Sequence, residues 1–272
     1  MKKFFILIFS MMILIGITAG CGLASADNTQ PTEDVSQPTS GDTGAPASET
    51  AQTGNVPVAG TPAESYTGFL NAKSAVLSKL DDALSHNGAT QLTYITLLDL
   101  KTADLWMLPA SYFGAGQEAA AAGLSTLNAS DVIYSENANS YSITYTDEQD
   151  ATYIFSGTYD AAADALVCTA QKDEKVSFSC EYRRTPYGYA SQYFFINDDD
   201  TTSLYQFAIS GADGTIGVST TQTTQPAALT GSEAADFPTA LPEWYSITGS
   251  AVTGKMADDT EINFEYVPTP SE

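Results

Sequence analysis

Basic charge is scarce in this chain. Against 33 acidic residues stand 10 basic ones, a net charge of −23, and only two of the basic residues are arginines, Arg183 and Arg184. So acidic a surface repels nucleic acid and anionic lipid headgroups, which argues against nucleic acid and against direct adhesion to an anionic lipid surface as partners. Histidine is almost absent: His86 stands alone. Multi-histidine zinc chemistry and Ser-His-Asp triads are therefore hard to build. No G-x-S-x-G elbow, phosphate-binding loop or dinucleotide fingerprint occurs. No cofactor or metal site is expected. Asp198-Asp199-Asp200 is an oxygen-rich run, but it lacks the alternating spacing and the glycine of an EF-hand loop, so it reads as a solvated hairpin tip. A pair of carboxylates acting on glycans needs no local motif and stays open as an enzymatic alternative. Cysteine is limited to three residues, Cys21, Cys168 and Cys180.

Long apolar runs are also missing, with one exception at the start. Lys2 and Lys3 precede an apolar stretch from Phe4 to Ile17, and small residues follow up to Cys21. Crossing a bilayer takes about 20 apolar residues. This run is shorter and suits the hydrophobic region of a secretory signal. The segment Ile17-Thr18-Ala19-Gly20-Cys21 resembles the lipobox of bacterial lipoproteins, with Thr18 where that family usually has leucine. The resemblance covers the first 21 residues only. It implies cleavage after Gly20 and acyl chains on the Cys21 thiol, which would hold the protein on the extracytoplasmic face of a cell membrane. Two acyl chains anchor stably where one does not. Ala24-Ser25-Ala26 offers the competing outcome, ordinary cleavage and release.

From 22 to 60 the chain has no aromatic residue, no lysine and no arginine, and its few larger aliphatics are Leu23, Val35, Val56 and Val58. Too little apolar surface is available to offset ordering entropy, so this Thr/Ser/Pro-rich stretch is expected to be a disordered tether spanning roughly 35 Å. A tether of that length fits a Gram-positive wall.

Residues 61–272 are expected to form one α+β domain, helical over 62–125 and stranded over 131–267. Thr61-Pro62-Ala63-Glu64 is a capping box. Tyr66, Phe69, Leu70, Val76, Leu77, Leu80, Ala83 and Leu84 then mark one face of a helix over 62–86, with Asn87-Gly88 as its stop. The stretch 89–107 favours a second helix, although Tyr94, Thr96 and Leu98 also allow a strand; Pro109 ends it. A short helix follows Gly116 and closes near Gly123.

Beyond 131 the apolar period becomes two. Runs such as Tyr141–Tyr145, Tyr153–Tyr159, Leu166–Ala170 and Val176–Tyr182 are split by short polar turns, which forces antiparallel pairing. The expected sheet is a curled meander of about eight to ten strands with the N-terminal helices on one face. Residues 220–241 read as an irregular excursion before two last strands.

A turn at Asp173-Glu174-Lys175 would set Cys168 opposite Cys180. They are candidates for a cross-strand disulfide, with two buried free thiols as the alternative. Arg183 and Arg184 should project to opposite faces of one strand. They are candidates for gripping an anionic group, with pairing to Glu181 or Asp160 as the alternative. Fifteen tyrosines and two tryptophans supply core and cross-strand packing. The function expected is a non-catalytic interaction module at the cell surface, binding an unidentified protein or a wall polymer. An apolar-ligand (lipid) carrier and a glycan-acting enzyme are the alternatives.

Overall fold

A computed structural model describes residues 60–86, 100–101, 103–197, 200–221 and 224–268. All of them fall within the unit Asn55–Glu272. The signal segment, Cys21 and the tether up to 59 lie outside the described residues, as do 87–99, where most of the expected second helix falls, and Asp198 and Asp199.

The first helix, α1 (Pro62–His86), starts where the capping box places it. The Thr61 N–H donates to Glu64 Oε2 at 2.9 Å, and the Glu64 N–H donates back to Thr61 Oγ1 at 3.2 Å. Both otherwise orphaned donors are thereby satisfied. Tyr66, Phe69, Val76, Leu77, Leu80, Ala83 and Leu84 are buried along its apolar face, and Leu70 packs at the margin. Two polar residues share that buried side, Ser65 and Lys73, each 1 % exposed.

Residues 100–101 are helical, and 3-10 helices follow at Ala103–Leu105 and Leu108–Tyr112, the second with proline in its first turn. The next helix, α2 (Gln117–Leu124), follows Gly116 and ends one residue beyond Gly123, as expected. Gly123 is there for proximity: a Cβ at that position would sit 2.0 Å from the Tyr112 ring.

Eleven strands follow, one more than the upper expectation: β1 (Ser130–Asn137), β2 (Ser140–Thr146), β3 (Thr152–Asp160), β4 (Ala165–Lys172), β5 (Lys175–Thr185), β6 (Gly188–Ile196), β7 (Thr202–Ser210), β8 (Asp213–Ser219), β9 (Glu243–Thr248), β10 (Ala251–Lys255) and β11 (Glu261–Glu265). They form one antiparallel sheet in strict sequence order, and it is not closed. The strands that alternation fails to single out are β1 and β10. On β1 the most apolar side chain, Ile133, is 63 % exposed, and β10 buries one large side chain, Val252, beside Gly254. A strand with so little to bury leaves a faint pattern. Consequently three strands, not two, follow the excursion.

The hairpin between β4 and β5 reaches the expected register by another route. Its turn is two residues, Asp173 and Glu174, both with positive φ (49° and 67°). A register shift between Ala170 and Gln171 then accommodates one extra residue on β5, a bulge that restores Cys168 opposite Cys180.

We call the face carrying Tyr182 the inner face. The Phe69 ring of α1 stacks on Tyr182 with centroids 4.4 Å apart and planes at 8°, while Phe113, beyond the second 3-10 helix, stacks on Tyr141 at 5.0 Å. Offset aromatic pairs of this kind contribute about 0.5–1.5 kcal/mol beyond the area they bury.

Candidate functional site

The outer face of the sheet has two unlike halves. Over β5–β8 it is covered by residues 224–242, largely irregular apart from a 3-10 helix at Phe237–Ala240. Glu181 on β5 is buried and accepts the Leu229 N–H at 2.9 Å and the Gln192 side-chain amide at 3.3 Å. Gln192 also donates to the Ala227 carbonyl at 2.8 Å. Further along, Pro238 lies so close that a Cβ on Gly217 would be 2.3 Å from its carbonyl oxygen. Leu229 and Pro238 are buried by this arrangement.

Over β1–β4 the outer face carries an open groove of about 400 Å³. Strand register builds it. Ser135, Ser142, Ser156 and Thr169 are successive cross-strand partners, and so are Asn137, Ser140, Thr158 and Val167. Neighbouring strands lie about 4.8 Å apart, so hydroxyls recur at that interval across the sheet. The Ser142 and Ser156 Oγ atoms are 3.5 Å apart. Among the described residues no acidic or basic side chain lines the groove, in a protein with 33 carboxylates. Thr169 continues to Ser179 on β5, whose Oγ meets Gln225 at 3.5 Å, where the cover begins. The free edge of β1 beside the groove is occupied by Gln117 of α2. Its amide donates to the Val132 carbonyl at 2.7 Å and accepts the Tyr134 N–H at 2.7 Å, in place of a neighbouring strand.

The sequence-derived candidates fall elsewhere. Arg184 lies at the inner face, with Nη2 3.0 Å and Nε 3.1 Å from Asp164 Oδ2 and the guanidinium 4.1 Å over the Tyr189 ring. Asp164 is 3 % exposed and also accepts Ser65 Oγ at 2.5 Å, which in turn meets Tyr182 Oη at 2.8 Å. The Arg184 fork is thus engaged by a carboxylate of the β3–β4 turn, neither Glu181 nor Asp160, in a network that ties α1 to the sheet. Arg183 points to the outer face, where its Cδ would be 3.0 Å from a Cβ on Gly231; its Nε is buried without an acceptor among the described residues. The two arginines do not converge on one site.

Cys168 and Cys180 face each other on the inner face as free thiols, 1 % and 2 % exposed. Burial pushes both thiols well above their ordinary range. The helix bearing His86 ends at that residue. Asp200, the described member of the aspartate run, adopts φ 61° in the β6–β7 turn, its N–H donating to Asn197 O at 3.0 Å. Among the described residues no group of three metal-ligating side chains converges.

Tyrosines carry most of the electrostatic perturbation. Burial first, then neighbouring carboxylates, pushes Tyr145 and Tyr189 up to about 12. Burial likewise raises Tyr66, Tyr182 and Tyr193 strongly. All stay neutral at ordinary pH and serve as packing groups; the hydroxyls of Tyr182, Tyr189 and Tyr193 also make hydrogen bonds, while that of Tyr66 is buried without a partner among the described residues.

The architecture is an open eleven-stranded antiparallel meander preceded by helices. No family model, curated protein or solved structure matches the chain.

Proposed function

We propose that this chain is a lipid-anchored, non-catalytic binding module on the extracytoplasmic face of a Gram-positive cell membrane, and that the β1–β4 groove takes a neutral polyhydroxylated wall polymer. The observation that carries the reading is an uncharged groove on a strongly acidic protein, in which serine, threonine and asparagine side chains stand beside Tyr141, Gly157 and Val167. Serine, threonine and asparagine side chains both donate and accept, as sugar hydroxyls do. A glycan strand laid across β1–β4 meets a polar group at each strand. An anionic polymer would meet an acidic molecule, and a nucleic acid still more so.

Individual contacts of this kind contribute only about 0.5–1.5 kcal/mol each, and the groove is open to water. Binding by one domain is therefore weak, and many copies tethered to one membrane supply avidity. The lipid on Cys21 and the tether 22–60 belong to this reading: they hold the module at a reach of roughly 35 Å from the bilayer. The apolar-carrier alternative draws no support from the interior. There the rings of Tyr66 and Phe69 pack against Tyr182, and Phe113 against Tyr141 and Phe155, in the space a lipid would need. We read the helices and the sheet as one wall-binding body in which the curl of a wide sheet shapes the groove.

The test is co-sedimentation of the purified mature protein with an insoluble neutral polysaccharide stripped of anionic polymers. Wild type should pellet with the polymer, and S142E/T169E, which puts two carboxylates in the groove, should stay in the supernatant. Equal pelleting of both proteins contradicts the groove as the site. Intact-mass measurement of membrane-extracted protein tests the anchor: acyl mass on a chain starting at Cys21 supports it, and an unmodified start at Asp27 removes it.

A further inference from the structure

The inner face holds an ion pair unlike its counterparts elsewhere. Lys73 of α1 is 1 % exposed, and its Nζ lies 2.5 Å from Asp104 Oδ1, 31 residues further on in the first 3-10 helix. The pairs Lys79–Asp213, Lys101–Asp81 and Lys255–Asp259 all join side chains that are 23 % exposed or more. Lys73 is instead roofed by aromatic rings: Nζ is 4.5 Å from the Tyr193 centroid and 5.1 Å from that of Phe207. The Tyr193 hydroxyl touches both partners, 3.4 Å from Nζ and 3.2 Å from Asp104 Oδ1. Asp104 retains 30 % exposure, so one side of the pair is open to water. A buried ion pair gains little over its desolvation cost. An amine and a carboxyl held in contact, with a phenol between them, are also placed for condensation.

We propose that Lys73 and Asp104 join covalently as an intramolecular isopeptide bond, with Tyr193 relaying the proton. One proton passes from the Lys73 ammonium to Asp104 Oδ1, leaving a neutral amine and a neutral carboxylic acid. The Nζ lone pair attacks Cγ and the N–C bond forms. Tyr193 takes a second proton from nitrogen as it gives its own to Oδ1. The Cγ–Oδ1 bond breaks and water leaves through the exposed side of Asp104. The third proton remains as the amide N–H, so ammonium plus carboxylate become amide plus water, with no oxidant or activated co-reactant. Fixed proximity supplies the driving advantage, because apposed intramolecular groups behave as if at about 10⁵–10⁸ M. The buried Lys73 charge and its Asp104 counter-charge both vanish. The product staples α1 to the chain that follows it, a useful device outside the cell in a domain whose two buried cysteines are unbridged.

The test is mass spectrometry of the full mature chain, intact and after trypsin. The expected result is a mass one water below that of the sequence plus its lipid, no tryptic cleavage after Lys73, and a branched peptide joining the segment around Lys73 to that around Asp104. K73R and D104A should both restore the linear mass. Y193F should fold, judged by an unchanged far-UV spectrum, yet accumulate the uncondensed chain, which a purely structural role for the phenol does not predict. A wild-type chain that is cut after Lys73 and yields only linear peptides overturns the proposal, whatever the variants do.

Discussion

The two halves of the outer face are made from the same kind of strand and end in opposite states. Over β5–β8 the outward residues include Glu181, Gln192 and Gly217, and each is answered by the segment that crosses them. Over β1–β4 they are Ser135, Ser142, Ser156 and Thr169, and they line an open groove that no described segment crosses. Charge and long amides stand where a protein segment covers the sheet, and short hydroxyls, with the exposed Ile133 and Val167, where the sheet is open. A buried carboxylate such as Glu181 must be paired, whereas an exposed serine carries no such obligation. The covered half is therefore architecture, and the open half is the face to which the proposed binding is assigned.

The largest expected effect falls on both halves equally, because it acts on the inner face they share. Tyr145 under the open half and Tyr189 under the covered half are both raised to about 12 from an ordinary value of 10.0. A group whose folded pKa is raised binds its proton more tightly in the folded state. Its contribution is complete below pH 10 and is lost as pH climbs toward 12. Each tenfold gain in proton affinity is worth about 1.4 kcal/mol, and less where water screens the hydroxyl. Several such groups acting together make alkaline unfolding cooperative. Absorbance of tyrosinate and far-UV circular dichroism should change together above pH 10; tyrosines that titrate freely in a folded chain contradict this.

Next comes Gly217→Val, which drives a branched side chain into the Pro238 carbonyl. Overpacking of this sort costs about 3 kcal/mol, readable by urea unfolding. Glu181→Ala should follow at about 1–3 kcal/mol, since it strands the Leu229 N–H and leaves the Gln192 amide with the Ala227 carbonyl alone of its two acceptors. Ser156→Ala in the open half should change stability by no more than about 0.5 kcal/mol. If Ser156→Ala destabilises as much as Glu181→Ala, the open half is structural too and the contrast fails.

Much of the contrast is illegible in the linear sequence, for identifiable reasons. Local signals read true: the Thr61–Glu64 box starts α1 on the right residue, and the three- and four-residue steps from Tyr66 to Leu84 mark its buried face. Those steps also pass through Lys73, but a lysine on an apolar stripe reads as a snorkelling side chain until Asp104 and Tyr193 are seen to enclose it. The alternation of Ser and Thr with Tyr and Ile along β2 shows that one face is polar. Whether those hydroxyls align across strands depends on the registers of β1–β2, β2–β3 and β3–β4, which alternation within a single strand does not set. The excursion shows only as a lack of pattern, because its contacts are backbone groups reaching Glu181 and Gln192, and these leave no apolar period. Arg183 and Arg184 stand out as isolated cations, while the carboxylate that engages Arg184, Asp164, lies in a turn 20 residues away.

The most direct test of the open half as a recognition face is an amide chemical-shift titration of isotope-labelled protein with a soluble neutral oligosaccharide. Saturable shifts should be confined to the outward rows of β1–β4, centred on Ser142, Ser156 and Thr169, with the residues beneath 224–242 unmoved. Shifts centred on the covered half, or none across a panel of neutral glycans at millimolar concentration, would contradict recognition by the open half.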